Sequence, residues 1–287
     1  MSIAYLRERS EEMKLDSIGF IGTGNMATAL IKGILEGGIF DKSRIYGSDK
    51  DQEKLKKISK ELGIGVYSSN ISLAQISSIV VLSVKPQSIK EVLEEVKDYV
   101  GGDKLIVSIA AGVPIAFIRS FLGRKVPIVR VMPNTPALIR RGISGIATDK
   151  KLSDEIMDMI FKIFSAVGEA IVVEERMMDA ITAISGSGPG YVFRFMECMV
   201  EGAIQMGFEE EVARRLVVNT FLGASELARI SQESLSSLRE KVTSPGGTTE
   251  AALKIFEQRG LKTIILDALK AAKNRGEEIG SSYNYTQ

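Results

Sequence analysis

The chain has 287 residues but no histidine, no tryptophan and only one cysteine. Without histidine the commonest general acid/base and the commonest metal ligand are both missing. Ser-His-Asp and Cys-His hydrolysis, HExxH zinc sites and histidine-dependent hydroxy-acid dehydrogenation are thereby excluded, and no metal centre is expected. A lone Cys198 cannot form an intrachain disulfide, a CxxC redox pair or a four-thiolate metal site. Such usage fits a reducing, cytoplasmic setting, and Cys198, inside the apolar stretch 191–206, reads as a packing residue. Excess charge is missing too: 37 basic side chains face 36 acidic ones, no basic stretch is interleaved with aromatics, and nucleic-acid binding is not expected. The most apolar stretch, 105–118, is shorter than the ~20 residues of a membrane helix and is broken by Gly112 and Pro114. No membrane span is expected. Residues 1–15 carry charges of both signs and lack the apolar segment of a secretion signal, so they read as a solvated extension with a fraying helix.

From Asp16 onward, short apolar runs alternate with amphipathic ones. Residues 17–21, 44–48, 78–84, 105–110 and 127–132 read as strands. The run SIVVLSV at 78–84 has the continuous β-branched character of a strand buried on both faces of a parallel sheet. Helical spacing is read at 26–35, 52–62, 87–99 and 114–122. This alternation predicts an α/β fold: an N-terminal Rossmann domain, doubly wound around a mostly parallel sheet. After Val173 the strand signals stop, and 177–206, 209–230, 235–242, 249–258 and 262–278 all read as helices, the first interrupted by Ser185-Gly-Ser-Gly-Pro-Gly190. The expected organisation is an extension at 1–15, a dinucleotide-binding domain at 16–176, an all-α domain at 177–280 and a disordered polar tail at 281–287.

Gly22-Thr-Gly24-Asn-Met-Ala27 follows a predicted strand and opens a predicted helix, the context in which GxGxxG/A is informative. Gly22 permits the tight turn, Gly24 lets the backbone approach a pyrophosphate, and the phosphates sit on free N–H groups at the positive end of the helix. At the end of the second predicted strand, Asp49 favours a free ribose hydroxyl, whereas Ser48 and Lys50 could hold a 2′-phosphate and Asp49 could instead cap the next helix. The motif leaves NAD and NADP equally open. Five of the seven prolines fall in VKPQ (84–87), MPNTP (132–136), GPG (188–190) and SPGG (244–247), and so rigidify loops where sites are built. The segment 242–249, VTSPGGTT, places two glycines and several hydroxyls before a helix, a ready anion site. Its bland reading is a helix capped by Thr248. A helix dipole contributes only ~0.3–1 kcal/mol against the ~8 kcal/mol of micromolar binding, so a small carboxylate needs several N–H bonds and the hydroxyls together.

Taken in order, GTGNMA, VKPQ, SIAAG (108–112), MPNTP, SGSGPGY (185–191) and VTSPGGTT resemble pyrroline-5-carboxylate reductases over residues 17–278. The resemblance implies a Rossmann domain followed by a helical dimerisation domain, with the active site completed by helical-domain residues that include the partner subunit's. It also implies reduction of a cyclic imine bearing a carboxylate, the last step of proline synthesis, with NADPH as cofactor and NADH tolerated. Gly22, Gly24, Asn25 and Met26 then correspond to the pyrophosphate loop, Ser48 to the ribose-phosphate neighbour and Asn70 to an adenosine contact. Val84, Lys85, Pro86, Ala110, Ala111, Pro133 and Asn134 correspond to the ribose and nicotinamide wall. Val242, Ser244, Gly247, Thr248 and Thr249 correspond to substrate contacts, with Thr249 as the catalytic hydroxyl near the substrate nitrogen. Gly190 departs from the alanine common before the tyrosine, and the N-terminal extension has no counterpart in shorter members. The implied partners are a small cyclic imino acid and a second copy of the chain, with a homodimer through the C-terminal helices and decamers built of dimers.

Three rivals are weighed. A broader imine reductase shares the plan. A β-hydroxyacid dehydrogenase would carry a catalytic lysine on the long helix after the Rossmann domain, and 177–206 contains none. A non-enzymatic dinucleotide sensor would have no need of the VTSPGGTT loop.

Overall fold

The computed structural model describes residues 13–283. The fraying helix expected at 1–15 therefore lies almost wholly outside the described residues, and 13–17 carry no regular structure. Strand and helix then alternate as β1 (Ile18–Ile21), α1 (Asn25–Glu36), β2 (Ile45–Ser48), α2 (Gln52–Leu62), β3 (Gly65–Tyr67) and α3 (Asn70–Ile76). They continue as β4 (Ile79–Leu82), α4 (Ile89–Val96), β5 (Leu105–Ser108), α5 (Ile115–Leu122) and β6 (Ile128–Met132). These six strands are parallel and lie in the order 3-2-1-4-5-6. Winding reverses between β1 and β4, which opens a crevice at their carboxyl ends, the ligand position of doubly wound sheets. Every residue of β1, β4 and β5 is buried, as a sheet covered on both faces requires.

The sheet is larger than the five strands read from the sequence. β3 is only three residues long, and α3 is a single short helix started by the Ser69 hydroxyl, which accepts from the Ser72 N–H. The strand β7 (Gly142–Thr148), helix α6 (Asp154–Ser165) and strand β8 (Gly168–Val172) complete the edge. β7 runs antiparallel to β6 because the link 133–141 is shorter than the ~12 residues of a parallel crossover. α6 supplies such a crossover, and β8 is accordingly parallel to β7. The helix read at 87–99 is shorter than expected: α4 is flanked by 3₁₀ turns at Pro86–Ser88 and Lys97–Tyr99.

The helix read at 177–206 is interrupted, as its glycine-rich stretch at 185–190 predicts. α7 (Met178–Ile181) passes into a π-helical turn at Thr182–Gly186, and α8 (Gly188–Gln205) starts afresh with Pro189 in its first turn, a position proline tolerates because its missing N–H would have no helical partner. Then come α9 (Glu210–Ile230), α10 (Leu235–Lys241), α11 (Thr248–Gln258) and α12 (Leu261–Ser281).

By packing, the described residues form two compact units, 13–186 with 273–283, and 187–272. The first holds two apolar clusters on opposite faces of the sheet, around Phe20 and Phe164 on one side and Leu82 and Ile118 on the other. The second buries only Ala213 and Val217 among its described residues. Cys198, read as packing, is exposed in the isolated chain because α8 buries none of its residues. The disordered tail expected from Ser281 does not hold for its first residues. Tyr283 lays its ring 4.6 Å from that of Phe117 and donates its hydroxyl to the Pro86 carbonyl at 2.9 Å.

Candidate active site

The turn from β1 to α1 is built for an anion. Gly22 has φ of 95°, a region L side chains rarely adopt, and a Cβ there would lie 2.8 Å from the Ser83 carbonyl oxygen. Gly24 occupies the cap position of α1, offers the helix no side chain, and has open space where a Cβ would stand. The first main-chain bond of the helix runs from the Thr28 N–H to the Gly24 carbonyl at 2.9 Å. The N–H groups of Asn25, Met26 and Ala27 thus precede the hydrogen-bonded ladder, and no acidic side chain occupies the first turn. This cradle fits the pyrophosphate of a dinucleotide.

At the carboxyl end of β2 the side chains do not divide as the sequence suggests. Ser48 is fully buried and donates its hydroxyl to Asn70 Oδ1 at 2.8 Å, while Asn70 Nδ2 donates to Glu95 Oε2 at 2.7 Å. Lys50 is paired with Glu91, whose two oxygens each lie 2.8 Å from its Nζ. Asp49 does not cap the next helix; Asp51 does, accepting from the N–H groups of Glu53 and Lys54. Asp49 instead clamps the glycine loop, its Oδ2 accepting from the Thr23 N–H at 2.8 Å and the Thr23 hydroxyl at 3.1 Å, its Oδ1 from the Asp51 N–H at 3.0 Å. Burial alone would raise the Asp49 carboxyl, but the hydrogen bonds from Asp51 and Thr23 together outweigh it and hold the group below its ordinary value.

Beyond the glycine loop a cleft of about 250 Å³ opens at the carboxyl ends of β4, β5 and β6. Met26, Val84, Pro133 and Asn134, four of the residues read from the sequence as cofactor-binding, line it. Ser83, Ile109, Met132, Thr135 and Gly186 line it as well and were given no site role; Ser83 adjoins VKPQ and the other four lie within quoted motifs, but only the tertiary fold shows which members of a loop face inward. Ser83 donates to the carbonyls of Ile21 and Gly22, tying the loop after β4 to the glycine turn. Asn134 is buried and bonded at both ends of its amide, its Nδ2 donating to the Ser185 carbonyl and its Oδ1 accepting from the Ile143 N–H. It holds the π-helical turn in place. Lys85 is exposed, Pro86 begins the 3₁₀ turn, and Ala110 and Ala111 follow β5, the first of them buried.

The VTSPGGTT segment lies in the other unit, between α10 and α11. The Gly247 N–H donates to the Ser244 carbonyl at 2.9 Å, closing a turn with Pro245 and Gly246 at its centre and Gly246 at φ of 72°, the geometry of a type II turn. A Cβ on Gly247 would lie 2.9 Å from that carbonyl oxygen. The expected cap is corrected here: Gly247, not Thr248, is the N-cap of α11, and no side chain satisfies the helix end. A residue in the first turn has helical backbone, so the Thr248 hydroxyl is left to other partners. Glu250 reaches back to accept from the Gly246 N–H at 2.7 Å and fixes the loop. Ser244 and Thr248 are exposed, Thr249 is half-buried, and Val242 ends α10 with its side chain exposed.

Comparison with known proteins bears on both halves. Residues 17–112 match the family described as NADP oxidoreductase coenzyme F420-dependent, and residues 175–279 that described as pyrroline-5-carboxylate reductase dimerisation. The pyrroline-5-carboxylate reductase of Pseudomonas aeruginosa is 42% identical over 268 residues, covering 93% of this chain and 98% of that one. That of Methanosarcina acetivorans is 38% identical, covering 93% and 99%. A solved pyrroline-5-carboxylate reductase from Coxiella burnetii superposes with a TM-score of 0.86 at 38% identity, covering 93% of this chain and 99% of that one. The Plasmodium falciparum enzyme, solved with NADP bound, gives 0.84 at 31%, covering 94% and 100%. Prephenate dehydrogenase of A. aeolicus, at 14% identity and a TM-score of 0.52, shares the fold alone. With a nucleotide cradle at one end of the chain, the family's dimerisation region at the other and full-length relatives well above 30% identity, the chain belongs to the pyrroline-5-carboxylate reductase family.

Proposed function

We propose that this chain reduces 1-pyrroline-5-carboxylate to L-proline with NAD(P)H, as its relatives' names describe for them. The observation that carries the reading is the 42% identity to the Pseudomonas aeruginosa reductase along nearly the whole of both chains. When bound, the reduced nicotinamide supplies the hydride that the C=N carbon accepts. The glycine loop, with Gly22, Gly24, Asn25 and Met26, holds the pyrophosphate, and Val84, Lys85, Pro86, Ala110, Ala111, Pro133 and Asn134 form or brace the wall beyond it. Asn134 braces the wall through its bonds to Ser185 and Ile143. The functional division we adopt is 16–176 for the nucleotide and 177–280 for substrate and dimerisation.

The substrate carboxylate sits at the open end of α11, where the N–H groups of Thr248 and Thr249 and the hydroxyls of Ser244 and Thr248 converge, with Gly247 and Val242 shaping the loop. Thr249 is the catalytic residue, its hydroxyl orienting the N–H of the ring. A threonine hydroxyl is too weak an acid to be a proton store, and none is needed: a cyclic imine binds already protonated, and an iminium accepts hydride directly. Orientation and a fixed electrostatic environment then supply the rate, which is how the reaction proceeds in a protein without histidine.

The chain assembles as a homodimer through its C-terminal helices, where Phe193, Leu222 and Ile230 are each more than half exposed in the single chain, and dimers build a decamer. Among the described residues no helix is long and apolar enough to cross a membrane, and the single thiol suits a cytoplasmic site.

The test follows oxidation of NADPH and NADH with pyrroline-5-carboxylate and with a six-membered cyclic imine. Rapid turnover of the five-membered ring supports the reading; nucleotide binding without turnover of either ring overturns it. Thr249→Ala is expected to keep nucleotide affinity while losing about 100-fold in kcat/KM, and unchanged turnover would remove Thr249 from its role. With nucleotide saturating, the rate should fall as pH rises through the imine's own pKa.

A further inference from the structure

The adenosine end of the nucleotide site carries more information than the family assignment. In a doubly wound fold the ribose next to adenine lies at the carboxyl end of the second strand, where a carboxylate accepts from its 2′-hydroxyl and repels a 2′-phosphate. Three side chains of this chain could welcome a phosphate there, and each already has a partner in the free chain. The Ser48 hydroxyl is buried and given to Asn70. Asn70 donates one amide N–H to Glu95, which brings a second carboxylate to the same corner. The Lys50 ammonium is held by both oxygens of Glu91.

Asp49 is the carboxylate that directly follows the second strand. A carboxylate has about four acceptor positions. Three are filled at Asp49, two on Oδ2 by Thr23 and one on Oδ1 by the Asp51 N–H. The clamp on Thr23 fixes the carboxylate beside the glycine loop, and the position left on Oδ1 is available to one hydroxyl.

We propose that, within the NAD(P)H class, Asp49 is the specificity-determining residue of this chain: it accepts the ribose 2′-hydroxyl of NADH and repels the 2′-phosphate of NADPH. The proposal rests on the assignment of the nucleotide to the glycine loop, not on the identity of the imine. It is a statement about this chain's own charges; a relative with a neutral residue here, or with a free lysine beside it, would choose differently.

The test measures dissociation constants of NADPH and NADH for the purified, assembled enzyme by nicotinamide fluorescence, without imine, so that failure of the imine reading leaves this result interpretable. The wild-type protein should bind NADH at least about tenfold more tightly. In Asp49→Asn, which keeps an acceptor for the Thr23 N–H, the ratio should move toward NADPH by about tenfold or more. Because Asp49→Asn can loosen the glycine loop, the ratio and not the absolute affinity is the readout. A second variant avoids the loop: Glu91→Gln frees Lys50 for a phosphate and should tighten NADPH alone, more strongly at low salt. Equal or tighter binding of NADPH by the wild type, or a ratio that neither variant moves, would overturn the proposal.

Discussion

The two units of the chain solve the burial problem differently. In the first, helices cover both faces of an eight-stranded sheet, and Phe20, Leu82, Ile106 and Phe164 are at most 1% exposed. In the second, α8, α10 and α11 bury none of their residues. A parallel sheet can be closed by its own crossover helices. A set of helices with apolar side chains on several faces cannot close on itself and leaves surface for another chain. The first unit buries its core within one polypeptide, and the second, which matches a dimerisation family, leaves large apolar side chains on its surface.

Core deletion offers the hardest test of that contrast. Phe164→Ala should destabilise the first unit by about 3–5 kcal/mol while leaving the assembled mass unchanged, as measured by thermal unfolding and light scattering together. Leu222→Asp should do the reverse. An exposed position in the single chain tolerates aspartate, but a covered one does not, so the variant should dissociate, with a loss of about 2–4 kcal/mol per interface. Unchanged mass in Leu222→Asp would mean that this face of α9 stays in water.

A smaller effect tests the end of α12. Tyr283→Phe removes the bond to the Pro86 carbonyl but keeps the ring on Phe117, so it should cost about 1 kcal/mol and loosen nucleotide binding slightly through the loop that Pro86 begins. Deleting 282–287 should have the larger effect of removing the ring as well. The smallest concerns acid. The folded-state value of Asp49 is depressed, so its contribution is present above the ordinary carboxylate value of 3.8 and is lost as pH falls through the lowered folded value. The difference in melting temperature between the wild type and Asp49→Asn should be present at neutral pH and shrink below about pH 4, and it should amount to less than about 1 kcal/mol because the group is half exposed.

Much of this molecule is legible from sequence alone where the signal is local and periodic. β1, β4, β5 and β6 announce themselves as apolar runs, and GTGNMA opens α1 because the glycines must be there for the turn. The missed elements are those whose signal is not periodic or whose partner is remote. β3 is three residues and β7 contains two glycines, so neither has a run to detect, and both exist because a neighbouring strand already offers an edge. At the site, the residue types were readable but not their commitments. Ser48, Asp49, Lys50 and Asn70 look like four free polar groups in the sequence; in the structure Glu91 and Glu95, about forty and twenty-five positions away in the chain, claim Lys50 and Asn70, and Thr23 claims Asp49.

The sequence by itself determined the order of elements, the turn chemistry of the glycine and SPGG loops, and the absence of histidine chemistry, because backbone preference and residue inventory are properties of short segments. Tertiary structure decided which polar groups remain free to meet a ligand. A hydrogen bond consumes a donor and an acceptor that may lie anywhere along the chain, and only the folded neighbourhood says which pairs have formed.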